Sequence, residues 1–357
     1  MDPKTRGISL PVDLIRTVAI VLVILLHAAI QPYPITNVMS MSVVVRWWSV
    51  NVYNSLACPC VPLFVMLTGV LLLQPHKVEE PLSVFFKKRL SRIGLPVLFW
   101  GAIYFFWGYY VNHEPLTLKT IVQGTLPDPY TQFWYIYLLV GLYLITPLLR
   151  VFIAHADRKI LGYFMVLWFA GTAVVPLLGL FLNYSLNSNV FLLTGWIGYF
   201  VLGLYLLDVR LRSRTLYAIL FTGFAWTIVG TYLITYFIGG TLQYFFYGYL
   251  TANVILASAA LFMLLSKIPA DYVQKRSLSA NRLIRFISRS TLAIFLFHVI
   301  VLESLWNGYL GVRISILTIN PIIEIPLATA TTLLICLLLL YPVSKVSILK
   351  KIVGIID

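Results

Sequence analysis

The sequence predicts an all-α, polytopic membrane protein of about ten transmembrane helices with both termini in the cytoplasm. Composition, the length of the apolar runs and the placement of positive charge carry that prediction. Hydrophobic residues make up 60% of the 357 and charged residues 11%, against about 25% charged in a soluble globular domain. A chain of this kind is solvated by lipid. Its net charge of +14 would suit a nucleic-acid partner only if the basic residues formed a patch, and they fall instead in short clusters between apolar runs. No nucleic acid is therefore expected.

Apolar runs near the length of a membrane span cover 9–31, 52–74, 93–111, 133–153, 160–182, 191–207, 215–238, 244–266, 291–311 and 321–343. The first holds DLIRTVAIVLVILLHAAI and the second VPLFVMLTGVLLL. The third emerges from the basic stretch FFKKRLSR, and the fourth opens on the aromatic FWYIY. The fifth follows Arg158 and Lys159. The sixth is the shortest. The seventh follows Arg210, Arg212 and Arg214, and the eighth opens on Tyr244, Tyr247 and Tyr249. The ninth follows RLIRFISR, and the tenth ends before Lys345. With the N-terminus inside, only Arg46, Lys119 and Arg313 of the 26 lysines and arginines fall outside the cytoplasmic segments, Lys4 and Arg6 included. Adding or dropping a helix would invert every later loop and destroy that asymmetry.

Aromatic residues at the expected outer boundaries agree: Trp47, Trp48 and Tyr53, then Trp107, Tyr109 and Tyr110, then Tyr244, Tyr247 and Tyr249. A secretory signal cleaved after HAA would leave nine helices and spoil the charge pattern, so the first helix is retained. No linker or internal repeat divides the chain, and one integral-membrane domain over residues 1–357 is expected. Cys58, Cys60 and Cys336 have no companions in a zinc pattern and read as packing residues, with no metal site.

Chemistry concentrates on the first helix. Arg16 and His27 are eleven residues apart, about three turns, so they share a face with an offset of about 20° and a separation of roughly 16 Å along the axis. Asp13 lies one turn before Arg16 on that stripe. Ionisable residues within a membrane mark a site or pathway; the bland alternative is a structural Asp–Arg pair and a histidine bonded to a neighbouring helix. Arg89 and Arg92 are one turn apart, with Lys87 and Lys88 beside them. Guanidinium forks match phosphate oxygens; taken alone, the pair reads more simply as a basic collar for anionic lipid headgroups. Trp134 and Tyr135 start the fourth helix, as an interfacial belt or part of a site. His298 lies inside the ninth helix, and Glu303 sits five residues on without sharing its face well, so both are placed along the cavity expected around His27 rather than as a pair.

These residues together give the chain a resemblance, over nearly its whole length, to the acyltransferase family 3 membrane proteins. It looks closest to the branch of the enterobacterial-common-antigen O-acetyltransferase. Arg16 and His27 match the family's Arg-x10-His motif, and Arg89 and Arg92 its Arg-x-x-Arg motif. Thr68–Gly69 stands where Ser–Gly is common, FWYIYLLVGLYLITPLL resembles the Trp-bearing helix, and FLFHV the late histidine segment, with Phe295 and Phe297 in place of expected tyrosines or neighbours.

The resemblance implies a multi-pass enzyme of the prokaryotic plasma membrane that moves an acyl group, usually acetyl, from acyl-CoA to a hydroxyl of a glycan or lipid-linked sugar. It implies acetyl-CoA as co-substrate, with no permanently bound cofactor, and membrane lipids as the other partners. Arg89, Arg92, Lys88, Trp134 and Tyr135 would bind the donor. His27 would act as base or acyl relay, with Asp13, Arg16, His298 and Glu303 completing the catalytic group. A transporter or flippase for a polar or lipid-linked substrate is the alternative. Against it, no pair of Gly/Pro-broken helices stands at matching positions in two halves. A non-catalytic scaffold for polysaccharide export is the third reading.

Overall fold

A computed structural model describes residues 10–30, 41–113, 132–182, 195–238, 244–315 and 318–356. Lys4, Arg6 and Lys119 lie outside the described residues. The described chain is helical, with no strand. The helices are α1 (Val12–Ala29), α2 (Met41–Ala57), α3 (Cys60–Leu72), α4 (Leu82–Tyr110), α5 (Trp134–His155), α6 (Arg158–Phe169), α7 (Val175–Leu182) and α8 (Trp196–Leu206). They continue with α9 (Ser213–Ile238), α10 (Ala252–Ser266), α11 (Tyr272–Arg276), α12 (Leu278–Arg289), α13 (Thr291–Asn307), α14 (Pro321–Val343) and α15 (Ser347–Val353).

Among the described residues, 8 helices are long and apolar enough to cross a membrane, or up to 9 when the bent pair α12–α13 is counted as one span. The difference from ten falls on the sixth predicted segment, where the described helix, α8, has 11 residues. Its Gly198–Gly203 core is wholly buried. Protein, not lipid, surrounds it. A Cβ at Gly69 on α3 would collide with the carbonyl of Phe200 on α8, and one at Gly203 with the carbonyl of Met66. Small residues at these two positions let the backbones touch, which is how helices associate where lipid offers no hydrophobic drive.

Local chemistry explains the breaks. The second span is two helices, α2 and α3, parted near Pro59, because proline cannot supply the amide that would continue the ladder. A π-helical turn at Ala170–Val174 joins α6 to α7 within one span. Asp157 caps α6 by accepting from the Ile160 amide at 2.8 Å, and Asn320 caps α14 by accepting from the Ile322 amide at 3.0 Å. Gly308 ends α13 in the left-handed region, φ +77°. Between α12 and α13 the axis turns by 80°. α12 carries Arg282, Arg285 and Arg289 with exposed Leu278 and Leu283, the mixture expected of a helix lying along a membrane surface.

α1 is the central helix, packed by α2, α3, α10, α12, α13 and α14. The tail closes against α4 and α12: the Trp100 indole donates to the Val353 carbonyl at 3.0 Å, and the Ile356 amide to the Arg289 carbonyl at 3.0 Å. Aromatics sort differently from the expected belt. Tyr109 and Tyr110 are exposed, but Trp47 and Tyr247 are buried, and the Tyr247 hydroxyl donates to Asn51 at 2.8 Å. Three free, buried cysteines complete the core.

Candidate active site

Ile20, Val23 and Ile24 flank the stripe of Arg16 and His27 and are buried, yet Arg16 and His27 remain partly accessible. His27 sits in the last turn of α1, and its Nδ1 donates to the Val23 carbonyl at 2.9 Å. His298 on α13 is wholly buried, and its Nδ1 donates to the Phe295 and Ile294 carbonyls at 2.8 and 3.1 Å. A carbonyl only accepts, so these contacts assign the proton to Nδ1 in both rings and leave each Nε2 as the acceptor. The two rings meet edge to face, with centroids 4.9 Å apart. His298 Nε2 has no hydrogen-bond partner.

Asp13 does not pair with Arg16. Its Oδ1 accepts from the Ser288 hydroxyl at 2.7 Å, which ties α1 to α12, and the Thr17 hydroxyl adds a bond to the Ile284 carbonyl at 3.3 Å. Arg16 is left without an ion pair among the described residues and lies in the electrostatic field of Arg92, Tyr135 and Tyr143 as well as Asp13. The charges of Arg89, Arg92 and Arg16, from α4 and α1, all act on the phenol of Tyr143 on α5. Tyr135, also in the field of Arg16, begins a run of ring contacts that reaches the imidazoles. Tyr135 packs on Phe295 at 5.2 Å, Phe295 on His298 at 6.0 Å, and His298 on His27. Thr68 stands beside Tyr135.

The basic group is more structured than a collar of solvated charges. Arg150 is buried and donates to the Leu72 carbonyl at 2.7 Å, the Lys77 carbonyl at 3.1 Å and Glu80 at 3.0 Å. It pins the connection between α3 and α4. Lys88 pairs with the other oxygen of Glu80 at 3.1 Å. Burial pulls the Lys77 amine below its ordinary value, and the Arg150 and Arg89 charges pull it further. Phe85 receives two guanidinium groups, Arg150 at 4.7 Å and Arg89 at 5.6 Å. Arg89 Nε is buried without a partner, while Arg92 is exposed.

Two expected members stand apart from the imidazoles. Glu303 accepts from the Trp107 indole at 2.9 Å between α13 and α4. Trp134 stacks on Tyr249 at 5.7 Å and tilts against Trp196 at 5.5 Å, in an aromatic group that joins α5 to α8. Sequence reasoning passed over Tyr143, Arg150 and Gln132. Tyr143 follows Tyr135 by eight residues, a ridge spacing along α5; nothing in the sequence sets Arg150 apart from its basic neighbours.

A family model described as an acyltransferase domain matches residues 11–341. The chain belongs to acyltransferase family 3. No curated protein matches it, and no solved structure does. As a family 3 member with this many apolar helices, the protein is a multi-pass membrane acyltransferase. Both histidines and all three arginines of the site fall within the family match.

Proposed function

We propose that this acyltransferase is an O-acyltransferase of the prokaryotic plasma membrane. It transfers an acetyl group from cytoplasmic acyl-CoA to a hydroxyl of a glycan or lipid-linked sugar, as in the enterobacterial-common-antigen branch. The observation that carries the reading is the run of ring contacts from Tyr135 through Phe295 to the His27–His298 pair, with Tyr135 in the electrostatic field of Arg16. Guanidinium forks at one end suit the phosphates of the nucleotide. The unspent Nε2 of His27 at the other end suits a group that takes a hydroxyl proton or carries the acyl group itself.

In the direct route the acceptor oxygen attacks the thioester carbon and its proton passes to His27 Nε2. The tetrahedral oxyanion then collapses with cleavage of the C–S bond, and the thiolate takes the proton back from His27. The Val23 carbonyl supports this by holding Nδ1–H, so that the basic nitrogen points away from its own helix. The partly open Arg16, not paired with Asp13, stands with Arg89 and Arg92 at the donor end and holds the donor's arm or a phosphate.

The test uses purified full-length protein in nanodiscs, given acetyl-CoA and an envelope glycolipid extract, with thiol release followed. Release that depends on the extract and yields acetylated glycolipid is expected. No release above background, alongside movement of a polar substrate in proteoliposomes, would overturn the reading in favour of a transporter.

A further inference from the structure

Gln132 is wholly buried, and neither its amide nitrogen nor its amide oxygen has a hydrogen-bond partner. An unpaired buried amide is costly and needs an explanation. Its position supplies one. The Gln132 carbonyl accepts from the Tyr135 amide at 3.4 Å, so Gln132 sits one turn before Tyr135 and above the same face of α5. That face meets α13 at Phe295, and Phe133 and Tyr104 fix the level: the two rings pack at 5.6 Å, and the Tyr104 hydroxyl donates to the Leu296 carbonyl at 2.9 Å. The Tyr135–Phe295 contact, and the link from Phe133 through Tyr104 to Leu296, set the start of α5 level with the Phe295–His298 turn of α13. That turn carries His298, whose ring touches His27. The two orphaned polar groups of this region, the Gln132 amide and His298 Nε2, therefore share one level of the bundle with the imidazole of His27.

We propose that the Gln132 side-chain amide is the donor that stabilises the oxyanion of the acyl group being transferred, a role that rests on the acyl-transfer reading above. The chemistry fits the residue type. When the acceptor oxygen bonds to the thioester carbon, the carbonyl π-pair moves onto oxygen, and that oxygen needs a donor that does not surrender its proton. An amide N–H meets that need, because it donates without giving its proton up. When the C–S bond breaks the charge returns to sulfur, and the amide is left as it began. Burial without a partner keeps the donor desolvated and unspent before substrate arrives, the condition under which such a group contributes most.

The test compares Gln132→Met and Gln132→His with wild type in nanodiscs, measuring turnover of acetyl-CoA with the glycolipid extract and thermal unfolding. Methionine keeps the length and removes the donor; histidine restores an N–H. Gln132→Met is expected to lower kcat by about 10²–10³-fold, with KM for acetyl-CoA changed by less than about threefold and an unfolding temperature equal to or above wild type, since it removes an unpaired amide. Gln132→His should recover part of the lost kcat. Full-rate turnover by Gln132→Met overturns the proposal alone. So does a loss of kcat that Gln132→His shares in full while both variants unfold early, because that pattern belongs to packing. Wild type that consumes no acetyl-CoA overturns the acyl-transfer reading, and this proposal with it.

Discussion

His27 and His298 meet with ring centroids 4.9 Å apart at an interplanar angle of 74°, each with Nδ1 held by a carbonyl of its own helix. Two imidazoles so placed act as one unit, which makes their substitutions non-additive. His27→Ala should lower kcat by about 10²–10⁴-fold without unfolding the protein. Adding His298→Ala to it should then change kcat by less than about threefold. Thiol-release kinetics on the single and double variants check this; independent, multiplying losses would separate the two rings.

The charges of Arg89 and Arg92 act with that of Arg16 on the Tyr143 phenol, while Lys88 is exposed and already paired with Glu80. Charge-assisted hydrogen bonds to a phosphate are worth about 1.5–3 kcal/mol each. Replacing both arginines by Ala should raise KM for acetyl-CoA by at least about tenfold with kcat nearly unchanged, whereas Lys88→Ala should move KM by less than about twofold, as a surface ion pair contributes little. An unchanged KM in the double variant would return the arginines to a lipid-binding collar.

Glu80 lies in the connection between α3 and α4. Burial alone would raise its carboxyl, but hydrogen bonds from Lys88 and Arg150 outweigh that and hold it below the ordinary value of 4.5. A carboxyl lowered on folding contributes stability that is present above its unfolded pKa and lost as pH falls through the folded value. Acidification from about pH 5 to about pH 3 should thus cost the wild type more unfolding temperature than it costs Glu80→Gln. Tryptophan fluorescence melts across that window measure the difference, and parallel curves would remove Glu80 from the account.

Gly69 approaches the Phe200 carbonyl too closely for any side chain, while Gly101 on α4 has open space where a Cβ would go. Gly69→Ala should therefore destabilise by about 1–3 kcal/mol and lower the recovery of monodisperse protein. Gly101→Ala, which only improves helix propensity, should not. Equal melting temperatures for the two variants would mean that α8 moves aside without cost.

The sequence made the stripe of α1 legible because eleven residues is close to a whole number of helical turns, so Arg16 and His27 align whatever the rest of the chain does. The arginine pair on α4 was legible for the same reason. Other features depend on packing between distant segments. Asp13 looked like a partner for Arg16 by spacing, yet α12 crosses beneath α1 and Ser288 takes the carboxylate. Arg150 shares its composition with the surface clusters and differs only in being sealed under the α3–α4 connection. α8 read as a short span because its residues are apolar; its glycines, which let α3 and α8 touch, report burial in protein instead. Gln132 was invisible, since an orphaned amide is a property of surroundings and not of spacing.

The Asp13–Ser288 bond has a mechanical meaning. Ser288 rides on α12, whose arginines and exposed leucines suit the headgroup layer and which stands at 80° to the helix bearing His298. α12 is joined to α1 by this bond and to α13 by the chain itself. The two helices that carry the imidazoles are thereby moored to one surface helix, which fixes how far apart their inner ends stand.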